Sequence, residues 1–468
     1  MFPSRRFLLM ALALILFVTG CGNDRPESRP RTDPQVIIIG LDTVRGDHLG
    51  IAGMEEIRTP NIDALAGDGV YFTRCQATAP WTGPSFASLY TGLLPYRHGF
   101  IGGNYAGLDT SLTTVAEIMQ AEGYATGGFV AVKWLTEKFG MFQGLKERKA
   151  IYLGREGLEA KEVTTQGMRF VGRHADKPFY LFLHYYDAHA PYEPPAPFDR
   201  LYYGGNEKAP GELLLDTVLS DRNQIPQANR ESGMYDWLEG VTDWDYPVKQ
   251  YAAGVSFVDD HVGQVIGNLK KRGLYDDALI VLVSDHGEHM TEHDIYFTHA
   301  MPYEEALQVP LIIKWPGGEF AGTRVDDRVS ILDVLPTILG VMGREVPAGL
   351  DGEDLQGLAR DPGSRPDRAL VAEHGTHKRF HKTLTEGDWK LFLTAEEGEI
   401  TRRLFNLAQN PNETIDLAYE YPDKLEELTR RLWEICDGED RLVDRAPVGK
   451  DKIDAKTREQ LRSLGYIH

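Results

Sequence analysis

Three apolar runs, each closing on a polar side chain, set the pattern of this chain: Gln35-Val-Ile-Ile-Ile-Gly-Leu-Asp42, Lys177-Pro-Phe-Tyr-Leu-Phe-Leu-His184 and Ala278-Leu-Ile-Val-Leu-Val-Ser-Asp285. Continuous rather than alternating hydrophobicity predicts strands buried on both faces, as in a parallel sheet covered by helices. Ligands of open α/β sheets sit at the carboxyl ends of such strands, which makes these terminal side chains candidates for a site. Helical spacing fills the intervals. Thr59–Gly69 has proline at its second position and a glycine stop, and Ser85–Tyr90 follows Pro84 and ends at Gly92. Ser111–Glu122, Gln250–Arg272, Val329–Leu339 and Pro422–Ile435 read as further helices, while Gly123–Val130 leads into another strand. Trp389–Leu393 and Leu404–Glu413 give short strands with a turn beneath the last helix. The fold class predicted is α/β: a large, mostly parallel sheet flanked by helices, with a smaller C-terminal α+β subdomain.

Composition narrows this picture at the ends. The chain has 468 residues and 42% hydrophobic positions, enough for one large domain and a smaller companion. A formal charge of −20 argues against a nucleic-acid partner, which would need a basic face. Arg5 and Arg6 precede an apolar run, Phe7–Phe17, that is too short to span a bilayer comfortably. Val18-Thr-Gly-Cys21 is similar to a bacterial lipobox, which implies a signal peptide over residues 1–21, lipidation of Cys21 and export to the periplasm. Residues 22–34 are a polar tether. A catalytic domain is then expected over 35–359, with an irregular insertion at 196–247 covering the site. The boundary falls in the Pro- and charge-rich stretch Arg360–Arg368, followed by a subdomain over 368–436 and a polar arm over 437–468. Cys75 and Cys436 either pair in an oxidising compartment or are two unrelated buried thiols.

Thr82 stands at the start of the Ser85–Tyr90 helix. Taken alone it reads as an N-cap. Its segment, Thr82-Gly-Pro-Ser-Phe-Ala-Ser-Leu-Tyr-Thr-Gly-Leu-Leu-Pro-Tyr-Arg-His-Gly99, resembles the signature of the sulfatase family in the alkaline phosphatase superfamily. In that family a Cys or Ser two residues before the proline is oxidised to formylglycine and becomes the nucleophile. Thr82 holds that place and cannot form the aldehyde, and Phe86 replaces the usual arginine. Asp42-Thr-Val-Arg-Gly-Asp-His48 resembles the first metal-binding stretch, with Thr43 where many members have a second aspartate. Lys177–Pro195 contains the Asp187-Ala-His189-Ala-Pro-Tyr192 phrase, and Asp285-His286-Gly-Glu288 matches the second metal pair. The resemblance implies metal ligation by Asp42, Asp285, His286 and Thr82, and catalytic roles for Thr82, His189 and His299. It implies substrate contacts at Asn104 and Lys133, with a solvated surface lysine as the other reading of Lys133. His184 is read as structural.

Hard oxygen ligands alone would suit Ca²⁺ or Mg²⁺, and an imidazole among them shifts the expectation toward Mn²⁺ or Zn²⁺. The nucleophile constrains the reaction further. A formylglycine adduct is released by elimination at carbon, whereas an adduct on Thr82 must leave by a second in-line attack. That favours phosphoester over sulfate-ester hydrolysis, including phosphodiesterase activity, on a small-molecule, glycan or lipid ester. Two alternatives stand beside it: an envelope phosphoglycerol- or phosphoethanolamine-type transferase, and a catalytically silent binding lipoprotein. The membrane is a partner only through the lipid anchor, and the oligomeric state is not set by the sequence.

Overall fold

The computed structural model describes residues 33–101, 107–151, 159–210, 215, 235–299, 301–375, 379–396 and 399–436. Eight strands form the main sheet: β1 (Val36–Leu41), β2 (Val70–Gln76), β3 (Ala125–Val130), β4 (Glu147–Ala150), β5 (Phe179–Tyr185), β6 (Leu279–Ser284), β7 (Gln308–Lys314) and β8 (Thr323–Ser330). Their order is β4-β3-β5-β1-β6-β7-β2-β8. β7 runs antiparallel to β6 and β2, and the remaining neighbours are parallel. The mostly parallel sheet expected from the apolar runs is therefore present.

Among the described residues, the longer helices that cover it are α1 (Pro60–Gly67), α2 (Thr82–Thr91), α3 (Val115–Ala121), α4 (Glu159–His174), α5 (Asp245–Lys271) and α6 (Val334–Val341). Alternate residues of β1 serve the two faces. Val36 and Ile38 join Phe86, Leu89, Met119 and Leu335 from α2, α3 and α6. Ile37, Ile39 and Leu41 join Val163, Phe170, Val258 and Val262 from α4 and α5. Each buried aliphatic side chain contributes roughly 1.5–3 kcal/mol, so the central strands are held from both sides.

Strand register aims the site. Gly40 lies opposite His184 on β5, and Leu41 opposite Ser284 on β6. The backbone N–H of Asp42 donates to Tyr185 O at 2.9 Å, and that of Asp285 donates to Leu41 O at 3.1 Å. Three strands remote in sequence thus release their next side chains at one edge.

A second sheet, β9 (Leu370–Gly375), β10 (Arg379–Glu386), β11 (Trp389–Glu396) and β12 (Glu399–Asn406), is an antiparallel meander. Helix α7 (Pro422–Ile435) packs Leu428 and Leu432 onto Leu384, Leu391, Leu393 and Leu404. β9 is tied to the main domain where Glu373 N–H donates to Thr78 O at 2.9 Å.

Several helix starts differ from the sequence expectation, two of them through capping. The Ser111–Glu122 helix begins only at Val115, where Thr114 and Glu117 form a reciprocal capping box. Val329 and Ser330 finish β8, and a 3₁₀ turn capped by Ser330 and Asp333 delays the next helix to Val334. α5 starts five residues before Gln250, with Pro247 in a first turn that needs no donor there. Cys75 and Cys436 are free, buried thiols in separate apolar clusters, which resolves their alternatives in favour of unrelated thiols. Described parts of the 196–247 insertion (Leu215, Tyr235, Leu238, Val241) join the α5 face, and Trp244 packs on Tyr296 and Phe297. No helix among the described residues is long and apolar enough to cross a membrane.

Candidate active site

Asp42, His184 and Asp285 meet at the strand ends, fully buried, with one ligand atom from each within 4.8 Å of the others. His184 Nε2 lies 3.2 Å from Asp42 Oδ2. Burial pushes the Asp42 carboxyl well above its ordinary range. Asp285 is pushed up by burial and by Asp42, and is drawn back by His184 and by the N–H groups of His286 and Thr43. Thr43, the residue in place of a second aspartate, does not join this group. Its hydroxyl donates to Asp42 O at 2.8 Å, while its N–H reaches Asp285 Oδ1 at 3.2 Å. It does so at φ +58°, a left-handed conformation that β-branched residues rarely adopt.

Thr82 is the first residue of α2, not its cap; Trp81 is the extended N-cap residue. Pro84 consequently occupies the third helical position, still within the turn that lacks intrahelical donors. The Thr82 hydroxyl sits 3.4 Å from His286 Nε2, at the positive end of the helix. Ser85 fastens this end to β6 by donating to Asp285 O at 2.6 Å. Gly83 is required by close approach, since a Cβ there would fall 2.3 Å from the Phe100 ring. Phe86 is fully buried, and its ring edge meets His184 at a centroid distance of 5.3 Å.

Three imidazoles share one tautomer. His286 Nδ1 lies 2.9 Å from Gly287 O, His189 Nδ1 2.6 Å from Ala190 O, and His299 Nδ1 2.7 Å from Pro80 O. A carbonyl only accepts, so each Nδ1 carries the proton and each Nε2 presents a lone pair. His286 Nε2 stands 3.4 Å from Asp285 Oδ2 and 3.8 Å from Asp42 Oδ1. The His286 and His299 rings are 4.2 Å apart, and those of His299 and His189 are 5.4 Å apart. Burial lowers His286 and His189 to about 3 and His299 well below its ordinary value, which keeps all three neutral. Asp42 Oδ1 and Oδ2, Asp285 Oδ2 and His184 Nε2 make no hydrogen bond among the described residues. Buried carboxylates that face one another with so few donors are costly unless a cation joins them. Backbone-anchored imidazoles beside carboxylates are also how proteins orient metal ligands. The donor set therefore fits a divalent ion, and the chain carries a candidate metal site.

His184, read from the sequence as structural, belongs to this group. A histidine at a strand end carries no distinguishing signal, and only the register exposes its proximity to Asp42. His374 was not anticipated either. It comes from β9, packs edge-on to Trp81 at 5.6 Å, and adds its field to His286 and His299. Lys133 opens a 3₁₀ turn whose Trp134 packs on Trp81 at 5.4 Å, which places it beside the α2 start. Asn104 lies outside the described residues.

A largely parallel sheet that delivers carboxylates and imidazoles to a hydroxyl at a helix N-terminus defines a hydrolase of the alkaline-phosphatase-like class. The sequence matches the Sulfatase family over residues 34–344, and the family described as N-sulphoglucosamine sulphohydrolase, C-terminal, over residues 291–438. The chain belongs to the sulfatase family and is an ester hydrolase of that family. An ulvan-active sulfatase of Formosa agariphila is 27% identical over 371 residues, covering 73% of this chain and 68% of its own. An N-acetylglucosamine-6-O-sulfatase of Bacteroides thetaiotaomicron is 26% identical over 433 residues, covering 77% and 76%. The solved phosphonate monoester hydrolase of Agrobacterium radiobacter superposes with a TM-score of 0.72 at 22% identity, covering 86% of this chain and 95% of its own, and shares the fold.

Proposed function

We propose that this enzyme is a metal-dependent phosphoester hydrolase within the sulfatase family, with Thr82 as nucleophile. The observation that carries this reading is the Thr82 hydroxyl, 3.4 Å from His286 Nε2, inside a buried group of acceptors. Asp42, Asp285, His286 and Thr82 would hold the ion, with His184 beside Asp42. Manganese or zinc suits this imidazole-containing set better than calcium or magnesium. When bound, the ion supplies Lewis acidity and a lowered pKa for the coordinated hydroxyl.

The protein's own groups account for the rest. Helix α2 presents Thr82 at its positive end, where charge builds on the transferred group. Thr82 Oγ1 attacks the ester in line, and the leaving oxygen departs on the opposite side. His189 and His299, neutral and fixed through Nδ1, offer Nε2 to protons moving on or off the reacting oxygens. Lys133 would contact the substrate from the flank, and Asn104 is proposed as a second contact. The adduct on Thr82 is then cleared by water attacking phosphorus. A sulfate adduct on a threonine has no equivalent exit through the side-chain carbon, and this separates the enzyme from formylglycine members of its family. The related phosphonate monoester hydrolase fold is compatible with such chemistry.

The test is a parallel assay of aryl sulfate, phosphate monoester and phosphodiester substrates, with stripped enzyme reloaded with Mn²⁺, Zn²⁺, Ca²⁺ or Mg²⁺. A phosphorus ester should turn over fastest, with Mn²⁺ or Zn²⁺. Faster turnover of the aryl sulfate would overturn the reading. We further place the enzyme at the periplasmic side of the envelope, anchored through lipidated Cys21; palmitate label lost in Cys21→Ser is expected, and an unlabelled wild type would refute it.

A further inference from the structure

A second group of metal-binding side chains lies between the segment that leads into and out of His299 and the C-terminal sheet. His293, Glu305 and Glu413 each offer one ligand atom, and these lie within 4.8 Å of one another. His293 Nε2 is 3.6 Å from Glu305 Oε2, too far for a good hydrogen bond. His289 Nδ1 reaches the same oxygen at 4.0 Å. His289 and Glu413 are fully buried or nearly so, and the Glu305 and His293 side chains are no more than 9% exposed.

The tautomer decides what this contact is. His289 Nε2 lies 3.0 Å from Met301 O, so Nε2 carries the proton and Nδ1 turns a lone pair toward the Glu305 carboxylate. Two acceptors face each other in a buried space. His289 Nδ1, His293 Nε2 and Glu305 Oε2 make no hydrogen bond among the described residues. Charge points the same way. Lys390 Nζ pairs with Glu304 at 2.8 Å and with Glu413 Oε1 at 2.9 Å, and Glu304 N–H donates to Glu413 Oε2 at 2.7 Å, whereas no lysine or arginine pairs with Glu305 among the described residues. Ordinary tetrahedral Zn–N and Zn–O bonds put ligand atoms about 3.3 Å apart. The 3.6 Å between His293 Nε2 and Glu305 Oε2 needs only a slight contraction, whereas His289 stands outside the three-residue group and must draw in on the ion to complete the set.

We propose that His289, His293, Glu305 and Glu413 form a second, structural cation site that takes zinc and clamps the His299-bearing segment to the C-terminal sheet. The closed set of two imidazoles and two carboxylates leaves no open position for a substrate, so its role is mechanical. His289 is oriented through its other ring nitrogen on a backbone carbonyl, as metal-bound imidazoles are. Glu413 enters from the loop after β12, and the other three come from 289–305. Zinc here would fix the distance between the segment carrying His299 and the sheet carrying His374.

The experiment isolates this site by using full-length Asp285→Asn protein, in which the ion site at the strand ends is disabled. The stripped protein is titrated with Zn²⁺ alone, and metal per chain and Tm are recorded. One zinc per chain is expected, with a rise in Tm. Both should be lost when Glu305→Gln or His289→Phe is added to the same background. Failure of Asp285→Asn to bind zinc would overturn the proposal, as would unchanged stoichiometry in the added variants. If an added variant does not fold, zinc X-ray absorption on Asp285→Asn decides: two imidazole and two carboxylate donors support the site, and any other donor set overturns it. These readouts do not depend on which ester the enzyme cleaves.

Discussion

Phe86 forms the buried wall behind the candidate site. Its ring, where the resemblance implies an arginine, fills the space against Gly40, at which a Cβ would stand 2.8 Å from Phe86 Cζ. That ring also meets Phe182 and His184 edge-on. Phe86→Ala should cost about 3–5 kcal/mol, read by chemical denaturation, because it empties a site closed on every side. It should also lower activity, since His184 loses the wall that holds it beside Asp42. Asp187 gives a pH-dependent prediction. Burial, and then Glu159, push its carboxyl up to about 7, against 3.8 ordinarily. An acid whose folded pKa is raised costs stability as pH climbs from the unfolded value through the folded one, here from about 4 to 7. Asp187→Asn should therefore raise Tm more at pH 8 than at pH 5; an equal gain at both would contradict the assignment. Asp42 and Asp285 were legible because each ends an apolar run, whereas Thr82 stood out only through the resemblance of its segment, since alone it reads as an N-cap. The shared tautomer of His189, His286 and His299 was not, because it depends on carbonyls that only the folded backbone brings near.

At the scale of elements, the apolar runs located the central strands to within a residue or two, since burial on both faces leaves little freedom in composition. Helix starts were less legible. They follow from capping geometry, which the periodicity of side chains does not carry. Thr114 is the clearest case: its hydroxyl accepts from Glu117 N–H while the Glu117 carboxylate accepts from Thr114 N–H. Thr114→Ala should destabilise the protein by about 1 kcal/mol, measured by urea denaturation, with turnover unchanged. β7 was not read as a strand from the sequence, and still less as an antiparallel one. Direction depends on where the chain re-enters the sheet after β6, and no residue pattern within Gln308–Lys314 encodes that.

For the whole molecule, the C-terminal sheet is part of the site rather than an appendage, because β9 brings His374 to Trp81. No sequence signal marked His374, as the approach arises only when the two sheets dock. The buried Lys382–Glu373 pair, at 3.0 Å, holds β10 to β9 next to it. Lys382→Met leaves Glu373 uncompensated and should cost about 3–5 kcal/mol, measured by thermal unfolding, with a loss of turnover alongside. The central claim is that the hydroxyl at position 82 takes up the transferred group. Rapid-quench peptide mass spectrometry on enzyme mixed with its preferred phosphorus ester tests it most directly. A phosphoryl group on Thr82, absent in Thr82→Ala together with turnover, is the predicted result. Full turnover in Thr82→Ala, or a phosphoryl group captured on a different residue, would contradict it.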